Sequence, residues 1–275
     1  MPMESDSVAN YSSTSESNQL TYSDSKIVSY YQYLSQLQPA EQTILGFLRP
    51  LLAEMKMLDL GVGGGRTTRY FAPLVKEYIG VDYAKSMVAA CKEKYRDRSL
   101  PVTFRMADAR NLEEFDSGSF DLVLFSFNGM DYVDHCDRIS IVKEIARVTK
   151  PGGYYCFSTH NLLAMRRQFD YRSHLSINPL KSYTDLVMYG FLRFLNRGIS
   201  LKSLQQSQYA VIRDESHNFR LQTYYITPEA QTQQLAPYFK NITVYSWQTG
   251  EQIDSFTEDE AVTKDMWLYY LCQRK

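Results

Sequence analysis

The sequence predicts an α/β fold built on a doubly wound, mostly parallel sheet with helices on both faces. Short apolar runs of strand length alternate five times with segments of helical periodicity. A glycine-dense turn at residues 61–65 follows the first of these runs. Sheets of this kind bind ligands at the carboxyl ends of their strands. We therefore expect function to lie in the loops that follow the strands.

The elements follow from periodicity and from the turn residues between them. Pro39 and Pro50 interrupt the first helical pattern. In chain order the prediction is a helical pattern at 26–53, a strand at 55–60, a helix at 66–76, a strand at 78–81, a helix at 87–95, a strand at 102–106, a strand at 120–127, a helix at 139–149, a stop and turn at 150–153 and a strand at 154–159.

Residues 161–226 break this alternation. They contain an amphipathic helical pattern at 183–195 and a hairpin of two strands, at 206–213 and 219–226. Five tyrosines of this segment either line a pocket or only pack the segment, and the sequence leaves both open: Tyr183, Tyr189, Tyr209, Tyr224 and Tyr225.

The sheet pattern then resumes. Thr227 and Pro228 are a typical N-cap and first residue of a helix, and strands are predicted at 241–247 and 266–272. We expect three parts: a disordered arm at 1–22, a main domain made of 23–160 and 227–275, and an inserted lid at 161–226 that faces the substrate.

Composition excludes several classes of protein. The 275 residues are 44% hydrophobic and 22% charged, which suits a packed core and argues against a wholly disordered or fibrous chain. The net charge of −1 provides no field for wrapping nucleic acid or docking on anionic lipid. The four cysteines form no CxxC pair, so we expect neither disulfides nor a metal site.

The first 20 residues carry six serines and lack the basic and apolar parts of a signal peptide. No apolar run reaches the length of a membrane span. We therefore expect a soluble, cytoplasmic protein without a membrane partner.

The glycine-dense turn lets a backbone approach a ligand without an intervening Cβ. A dinucleotide fingerprint would need glycine at position 66, which is Arg66, and a crowded helix start disfavours a pyrophosphate there. No phosphate-binding P-loop run occurs in the chain.

Five segments, in order, resemble the motifs of the class I S-adenosylmethionine-dependent methyltransferases. They are the run DLGVGGGR at 59–66, Asp82 closing strand two, Asp108-Ala109 after strand three, the run FDLVLFSFN at 120–128 and the run RVTKPGG at 147–153. The resemblance covers residues 50–160 well and 227–275 loosely.

The resemblance implies a Rossmann-like sheet of seven strands with the last strand antiparallel, and S-adenosylmethionine as cofactor. Asp82 would accept from the ribose hydroxyls, with a helix N-cap as its alternative role, and Asp108 would accept from the adenine amino group. Tyr30, Tyr31 and Tyr33 are expected to fold over the cofactor. The implied cofactor contacts are Asp59, Gly61, Gly63, Gly65, Arg66, Asp82, Tyr83, Met87, Asp108, Ala109, Ser126 and Phe127.

Methyl transfer is an in-line displacement, so the protein needs a general base only when the nucleophile arrives protonated. The candidates for a catalytic role lie after strands four and five: His160, Asp131 and Tyr132. Asn128 lies near them, His135 is expected at the surface or in a cap, and His217 lies in the hairpin loop.

The run at 126–129 lacks the Asn/Asp-Pro-Pro-aromatic motif of base-amine methyltransferases, and no proline precedes a cysteine as in cytosine C5 enzymes. We expect a small organic acceptor, methylated at O or N, no nucleic-acid partner, and a monomer or homodimer. The alternatives are an RNA or protein methyltransferase, a non-catalytic cofactor-binding subunit, and a nicotinamide-dependent oxidoreductase.

Overall fold

A computed structural model describes residues 31, 33–215, 219–256 and 260–275. The predicted arm at 1–22, Tyr30 and His217 lie outside the described residues. None of the described helices is long and apolar enough to cross a bilayer.

The described strands form one sheet in the order β3-β2-β1-β4-β5-β10-β8-β9, with β7 beside the end of β5 and β6 beside β7. The strands are β1 (Lys56–Leu60), β2 (Glu77–Asp82), β3 (Val102–Met106), β4 (Phe120–Phe125), β5 (Thr149–Asn161), β6 (Tyr209–Ile212), β7 (Thr223–Ile226), β8 (Phe239–Ser246), β9 (Gln252–Ile253) and β10 (Trp267–Arg274).

The described α-helices flank this sheet. They are α1 (Pro39–Leu48), α2 (Thr68–Phe71), α3 (Lys85–Tyr95), α4 (His135–Val148), α5 (Leu162–Gln168), α6 (Pro179–Leu195), α7 (Leu201–Gln206), α8 (Pro228–Leu235) and α9 (Glu260–Lys264).

The predicted fold class is confirmed. Strands β1 to β5 pair in parallel, and the last strand, β10, runs antiparallel between β5 and β8. One apolar core packs α4 and α8 against one face of the sheet. A second core packs α1 and α3 against the other face. This two-sided burial explains the continuous apolar runs of the central strands.

The sheet is larger than the seven strands that the resemblance implies. The hairpin of the inserted segment joins it, because β7 pairs in parallel with His160 and Asn161 at the end of β5. Strand β4 ends at Phe125, so the final residues of β5 lack that neighbour. The hairpin supplies hydrogen-bond partners for backbone groups that would otherwise be unpaired there. The short β9 was not predicted.

Two predicted helices are shorter in the structure. The helical pattern at 26–53 is interrupted before Pro39, since a residue that precedes proline disfavours the helical region and Gln38 is extended. Helix α2 covers only four residues of the predicted 66–76 and ends before Pro73, which has no N–H to donate.

Two further boundaries differ from the prediction. Helix α4 begins at His135 because the Asp134 side chain caps it by accepting from the N–H of Asp137. The predicted turn at 150–153 is a register shift within β5, where Phe120 lies opposite Thr149 but Leu122 lies opposite Tyr154. All four cysteines are free.

Candidate functional site

An open cleft lies at the carboxyl ends of β1, β2 and β4, where the strand order reverses. It encloses about 1180 Å³ of empty space, including the part open to solvent. Such a switch point is where doubly wound sheets bind ligands. The predicted residues that line it are Asp59, Gly61, Gly63, Arg66, Asp82, Tyr83, Met87, Asp108, Ala109, Ser126, Phe127 and Tyr132.

The glycine loop after β1 is held from both sides. Gly61 has a φ of +61°, and a Cβ there would lie 2.9 Å from the ring of Phe125. The carbonyl oxygens of residues 63–65 accept hydrogen bonds from Cys91, Lys94 and Tyr95 of α3. The loop therefore needs glycine at position 61 for its backbone conformation and for space.

Asp82, at the end of β2, ties the loop to the start of α3. Its Oδ2 accepts from the N–H of Gly63 at 3.0 Å, and its Oδ1 accepts from the N–H of Ala84 at 2.9 Å. Burial raises the pKa of this carboxyl despite the two hydrogen bonds. The N-cap of α3 is Ala84, not Asp82. Each carboxylate oxygen carries two lone pairs, so Asp82 has acceptor capacity beyond these bonds.

Asp59 lies beneath the loop and is almost completely buried. Its Oδ2 accepts from the hydroxyl of Thr67 at 2.5 Å and from the hydroxyl of Tyr78. Burial raises its pKa to about 6, although both hydrogen bonds and the nearby Arg66 act in the opposite direction.

Arg66 forms a buried two-point ion pair with Glu41 of α1. Its Nη2 donates to Glu41 Oε1 at 2.6 Å, and Nη1 donates to Oε2. Burial lowers the pKa of Arg66, but the hydrogen bonds and charge of Glu41 outweigh it and leave the pKa above its ordinary value. The guanidinium also lies 5.0 Å from the ring centre of Phe127. Arg66 thus joins α1 to the wall of the cleft.

The turn after β4 carries Ser126, Phe127 and Asn128. Ser126 donates to Glu41, so the same carboxylate binds residues from two loops of the cleft. Phe127 and Asn128 have φ values of 59° and 61°, a left-handed backbone that non-glycine residues seldom adopt. This turn ends β4 two residues earlier than predicted and directs the chain into the 3-10 helix Gly129–Tyr132.

On the outer wall of the cleft, Asp108 is paired with an arginine side chain. Both of its carboxylate oxygens accept from the side chain of Arg110, which also pairs with Asp137. Partial burial raises the pKa of Asp108, but the hydrogen bonds from Arg110 outweigh it and the net pKa lies below its ordinary value. Adenine contacts at this wall would have to share Asp108 with Arg110.

Apolar side chains line the same wall. Met87 is buried, and Tyr31 and Tyr83 pack against it. Tyr31 also meets the ring of Phe127 edge-on, with 6.2 Å between ring centres. Tyr33, by contrast, is 85% exposed.

Asp131 and His160 form a buried hydrogen-bonded pair. Asp131 Oδ2 accepts from the backbone N–H and from the Nδ1 side of His160, both at 2.7 Å. Its Oδ1 accepts from Arg138 at 2.5 Å and from the Thr159 hydroxyl at 2.6 Å. A carboxylate only accepts, so Nδ1 of His160 donates to Asp131, and Nε2 lies 3.5 Å from the side-chain amide nitrogen of Asn128.

His160 faces a second cavity rather than the cleft itself. Its ring meets Tyr132, a lining residue of the cleft, edge-on at 6.4 Å between ring centres. Asp131 is fully buried and lines neither space. It can act on a reaction only by holding His160.

The sequence prediction missed Glu41, Arg110 and the pairing of Asp131 with His160. Glu41 carried one signal, since a glutamate three residues after an N-cap is typical of a capping box, and its carboxylate accepts from the N–H of Gln38. Gly65, which was predicted as a cofactor contact, does not line the cleft. A Cβ there would lie 2.8 Å from Tyr95, so this glycine permits packing against α3.

The structure also shows where one further histidine and two tyrosines of the inserted segment lie. His135 is half-buried, stacks on Tyr209 at 4.3 Å between ring centres and shares a hydrogen bond with the Tyr224 hydroxyl. Tyr189 and Tyr225 line the second cavity. Among the described residues, no group of three or more His, Cys, Asp and Glu side chains is arranged to hold a metal ion.

The fold is a Rossmann-like α/β domain with an open cleft at the switch point of its sheet. Residues 57–153 match the family model described as a methyltransferase domain. The matched segment carries the glycine loop, Asp82 and the turn after β4, so the part of the chain that builds the cleft is similar to a methyltransferase domain.

Curated relatives match part of the chain. A ubiquinone biosynthesis O-methyltransferase from Methylococcus capsulatus is 33% identical over 111 residues, which are 40% of this chain and 45% of that protein. The putative methyltransferase YqeM from Bacillus subtilis is 28% identical over 142 residues, 51% of this chain and 57% of that protein. The chain spans about half the length of the curated relatives that it matches.

Solved structures share the fold over most of the chain. The CcbJ methyltransferase from Streptomyces caelestis has a TM-score of 0.60 at 15% identity, covering 92% of this chain and 98% of that one. An S-adenosylmethionine-dependent methyltransferase from Methanosarcina mazei has a TM-score of 0.54 at 17% identity, covering 82% and 94%. At these identities the likeness establishes the fold alone.

Proposed function

We propose that this protein transfers the methyl group of S-adenosylmethionine to an oxygen or nitrogen atom of a small organic acceptor and releases S-adenosylhomocysteine. The observation that carries the proposal is the glycine loop tied to Asp82 at the reversal of strand order. It combines close backbone approach with a carboxylate that has spare acceptor capacity.

The residues of the cleft fit the cofactor. Asp82 suits two ribose hydroxyls, because a carboxylate accepts from paired donors. Asp59 and the loop after β1 suit the amino acid end, since an ionised Asp59 attracts an ammonium group. Met87 and Tyr83 offer apolar surface to an adenine ring, with Ala109 beside them.

S-adenosylmethionine supplies a methyl group on a sulfonium, which is already a good leaving group. The protein has to align the acceptor, exclude water and take up a proton where the acceptor is protonated. Tyr132 lies between the cleft and His160, so it is suited to align the acceptor. Asp131 holds Nδ1 of His160, so Nε2 is the ring nitrogen suited to take up that proton.

The arm expected at 1–22 and the lid role of residues 161–226 are part of this proposal. The inserted segment contributes Met188, Tyr189 and Asp214 to the second cavity beside His160. A segment that supplies one wall of such a cavity is suited to contact an acceptor.

A small acceptor is favoured over RNA or protein. The net charge of −1 offers no attraction for a polynucleotide. The names of similar proteins include a ubiquinone biosynthesis O-methyltransferase and, among the structures, the N-methyltransferase NodS from Bradyrhizobium japonicum.

A nicotinamide cofactor is disfavoured by Arg66. This side chain occupies the position where a dinucleotide fingerprint has glycine, and Glu41 and Phe127 hold it there.

The test is a calorimetric titration of the purified full-length chain with S-adenosylmethionine, S-adenosylhomocysteine and NAD in parallel. We expect micromolar binding of the first two and none of NAD. Binding of NAD alone would contradict the proposal. Cofactor binding without turnover of any acceptor would leave the non-catalytic subunit as the better description.

A further inference from the structure

A second cavity with about 720 Å³ of empty space lies between the end of the sheet and the inserted segment. His160 and Trp267 line it from the sheet, and Met188 and Tyr189 line it from α6. Its lining combines large apolar side chains with a few polar groups, which is the usual character of a site for a small organic molecule.

The cavity borders the cofactor cleft through two side chains. Tyr132 lines the cleft and packs edge-on against His160. Asn128, which directly follows the cleft residue Phe127, has its Nδ2 3.5 Å from His160 Nε2. The Oδ1 of Asn128 is buried and has no hydrogen-bond partner among the described residues. Asn128 itself lines neither the cleft nor the second cavity, so its amide can act on a ligand only through His160.

The charges of the lining select against anions. Asp214 and Glu215 contribute carboxylates, and no lysine or arginine is among the described lining residues. Arg213 and Arg220, the arginines nearest in sequence to these two carboxylates, are exposed and lie outside the lining. A carboxylate or phosphate in this cavity would meet like charge from Asp214 and Glu215, and His160 and His174 are the described lining groups that could offset it.

We propose that this cavity is the acceptor pocket and that the acceptor is an uncharged or cationic hydroxyl compound with an apolar, phenol-like body. The hydroxyl donates to His160 Nε2, which lines the cavity. This inference rests on the proposed methyl transfer and adds its substrate class and its base.

The chemistry favours a hydroxyl over an amine. A neutral amine attacks with its own lone pair, whereas a hydroxyl oxygen is a weak nucleophile until its proton leaves. In the step, the acceptor oxygen forms a bond to the methyl carbon and the C–S bond breaks with its electron pair going to sulfur. The hydroxyl proton moves to His160 Nε2. Asp131 stabilises the resulting imidazolium by accepting from its Nδ1–H.

The first experiment compares acceptor classes on the full-length chain. The panel contains phenols with para and meta alkyl groups, the matching anilines and the matching benzoates. The readouts are release of S-adenosylhomocysteine and binding of each compound to the protein saturated with S-adenosylhomocysteine. We expect phenols to bind and to react at least tenfold faster than anilines, and benzoates to do neither.

The second experiment replaces the base. We expect His160→Asn to lower kcat for a phenol by at least about 100-fold, with the Kd for S-adenosylhomocysteine within twofold of the parent. The control is His135→Gln, because His135 lines neither cavity.

The outcomes separate this inference from the proposed function. Failure to bind S-adenosylhomocysteine would overturn the proposed function itself. Normal binding of S-adenosylhomocysteine combined with preference for anilines or benzoates, or with no reaction of any phenol, would overturn only the acceptor assignment. A His160→Asn variant that keeps its kcat for the phenol would overturn the role of the base.

Discussion

At the scale of single residues, Arg66 is the side chain that argues against a nicotinamide cofactor. It stands where a dinucleotide fingerprint has glycine, which the sequence alone reveals. Its partner, Glu41, lies 25 residues earlier in the chain and no periodic pattern connects them. The sequence therefore predicted that Arg66 disfavours a dinucleotide cofactor, and the structure revealed that Glu41 holds its side chain.

Asp82 carries the first prediction. Asp82→Ala should weaken binding of S-adenosylhomocysteine by about 1–3 kcal/mol, because charged hydrogen bonds to the ribose and the anchor of Gly63 are both lost. Titration calorimetry measures this. Glu77→Ala, at the exposed start of the same strand, is the matched control and should leave the affinity unchanged. Equal affinities for the two variants would remove Asp82 from the ribose site.

We expect Asp59 to make the affinity for S-adenosylhomocysteine depend on pH. Burial raises its pKa to about 6, with Arg66, Glu41, Thr67 and Tyr78 around it. Below pH 6 the carboxyl is neutral and attracts the ligand's ammonium less; above pH 6 it is ionised. The affinity for S-adenosylhomocysteine should therefore rise from pH 5 to pH 7, by about tenfold at most, and then level off. Asp59→Asn should abolish this slope. An equal slope in the variant would assign the pH dependence to another group.

At the scale of elements, α1 is joined to the cofactor cleft by a buried ion pair. Glu41 is 2% exposed and Arg66 is 8% exposed. Glu41→Gln should lower the free energy of unfolding by about 3–5 kcal/mol, since it leaves a buried guanidinium without its counter-ion. Denaturant unfolding measures the loss.

The matched control for this element is Glu93→Gln, which breaks the exposed pair of Glu93 with Arg96 in and after α3. That loss should stay within about 1 kcal/mol, because water screens exposed charges. Similar losses for both variants would show that the pair of α1 contributes no more than a surface contact.

The inserted segment shows that local sequence patterns can predict strands without predicting which strands they pair with. Its two strands were predicted from alternating residues and a loop at 214–218. That β7 would extend the sheet beside β5 was not predicted, because the pairing depends on where β4 ends. The early end of β4 follows from the left-handed backbone at Phe127, which apolar periodicity does not encode.

At the scale of the whole molecule, a ligand that binds only the folded chain raises its stability by mass action. S-adenosylhomocysteine at 100 times its Kd should add about 2.7 kcal/mol. For a chain of this size, that corresponds to a rise in Tm of about 5–10 °C. A thermal unfolding scan measures it, with NAD at the same concentration as the control. An equal shift with NAD would argue against a site selective for the methyl donor.

The sequence by itself determined the fold class, the glycine turn and the acids at the strand ends. These features arise from periodicity and turn chemistry, which neighbouring residues encode. Only the tertiary structure decided which distant groups meet: Glu41 with Arg66, Asp131 with His160, and the insert with the sheet. Such pairs are far apart along the chain and depend on how the elements pack. The cleft was therefore predictable from the sequence, whereas the second cavity beside His160 was not.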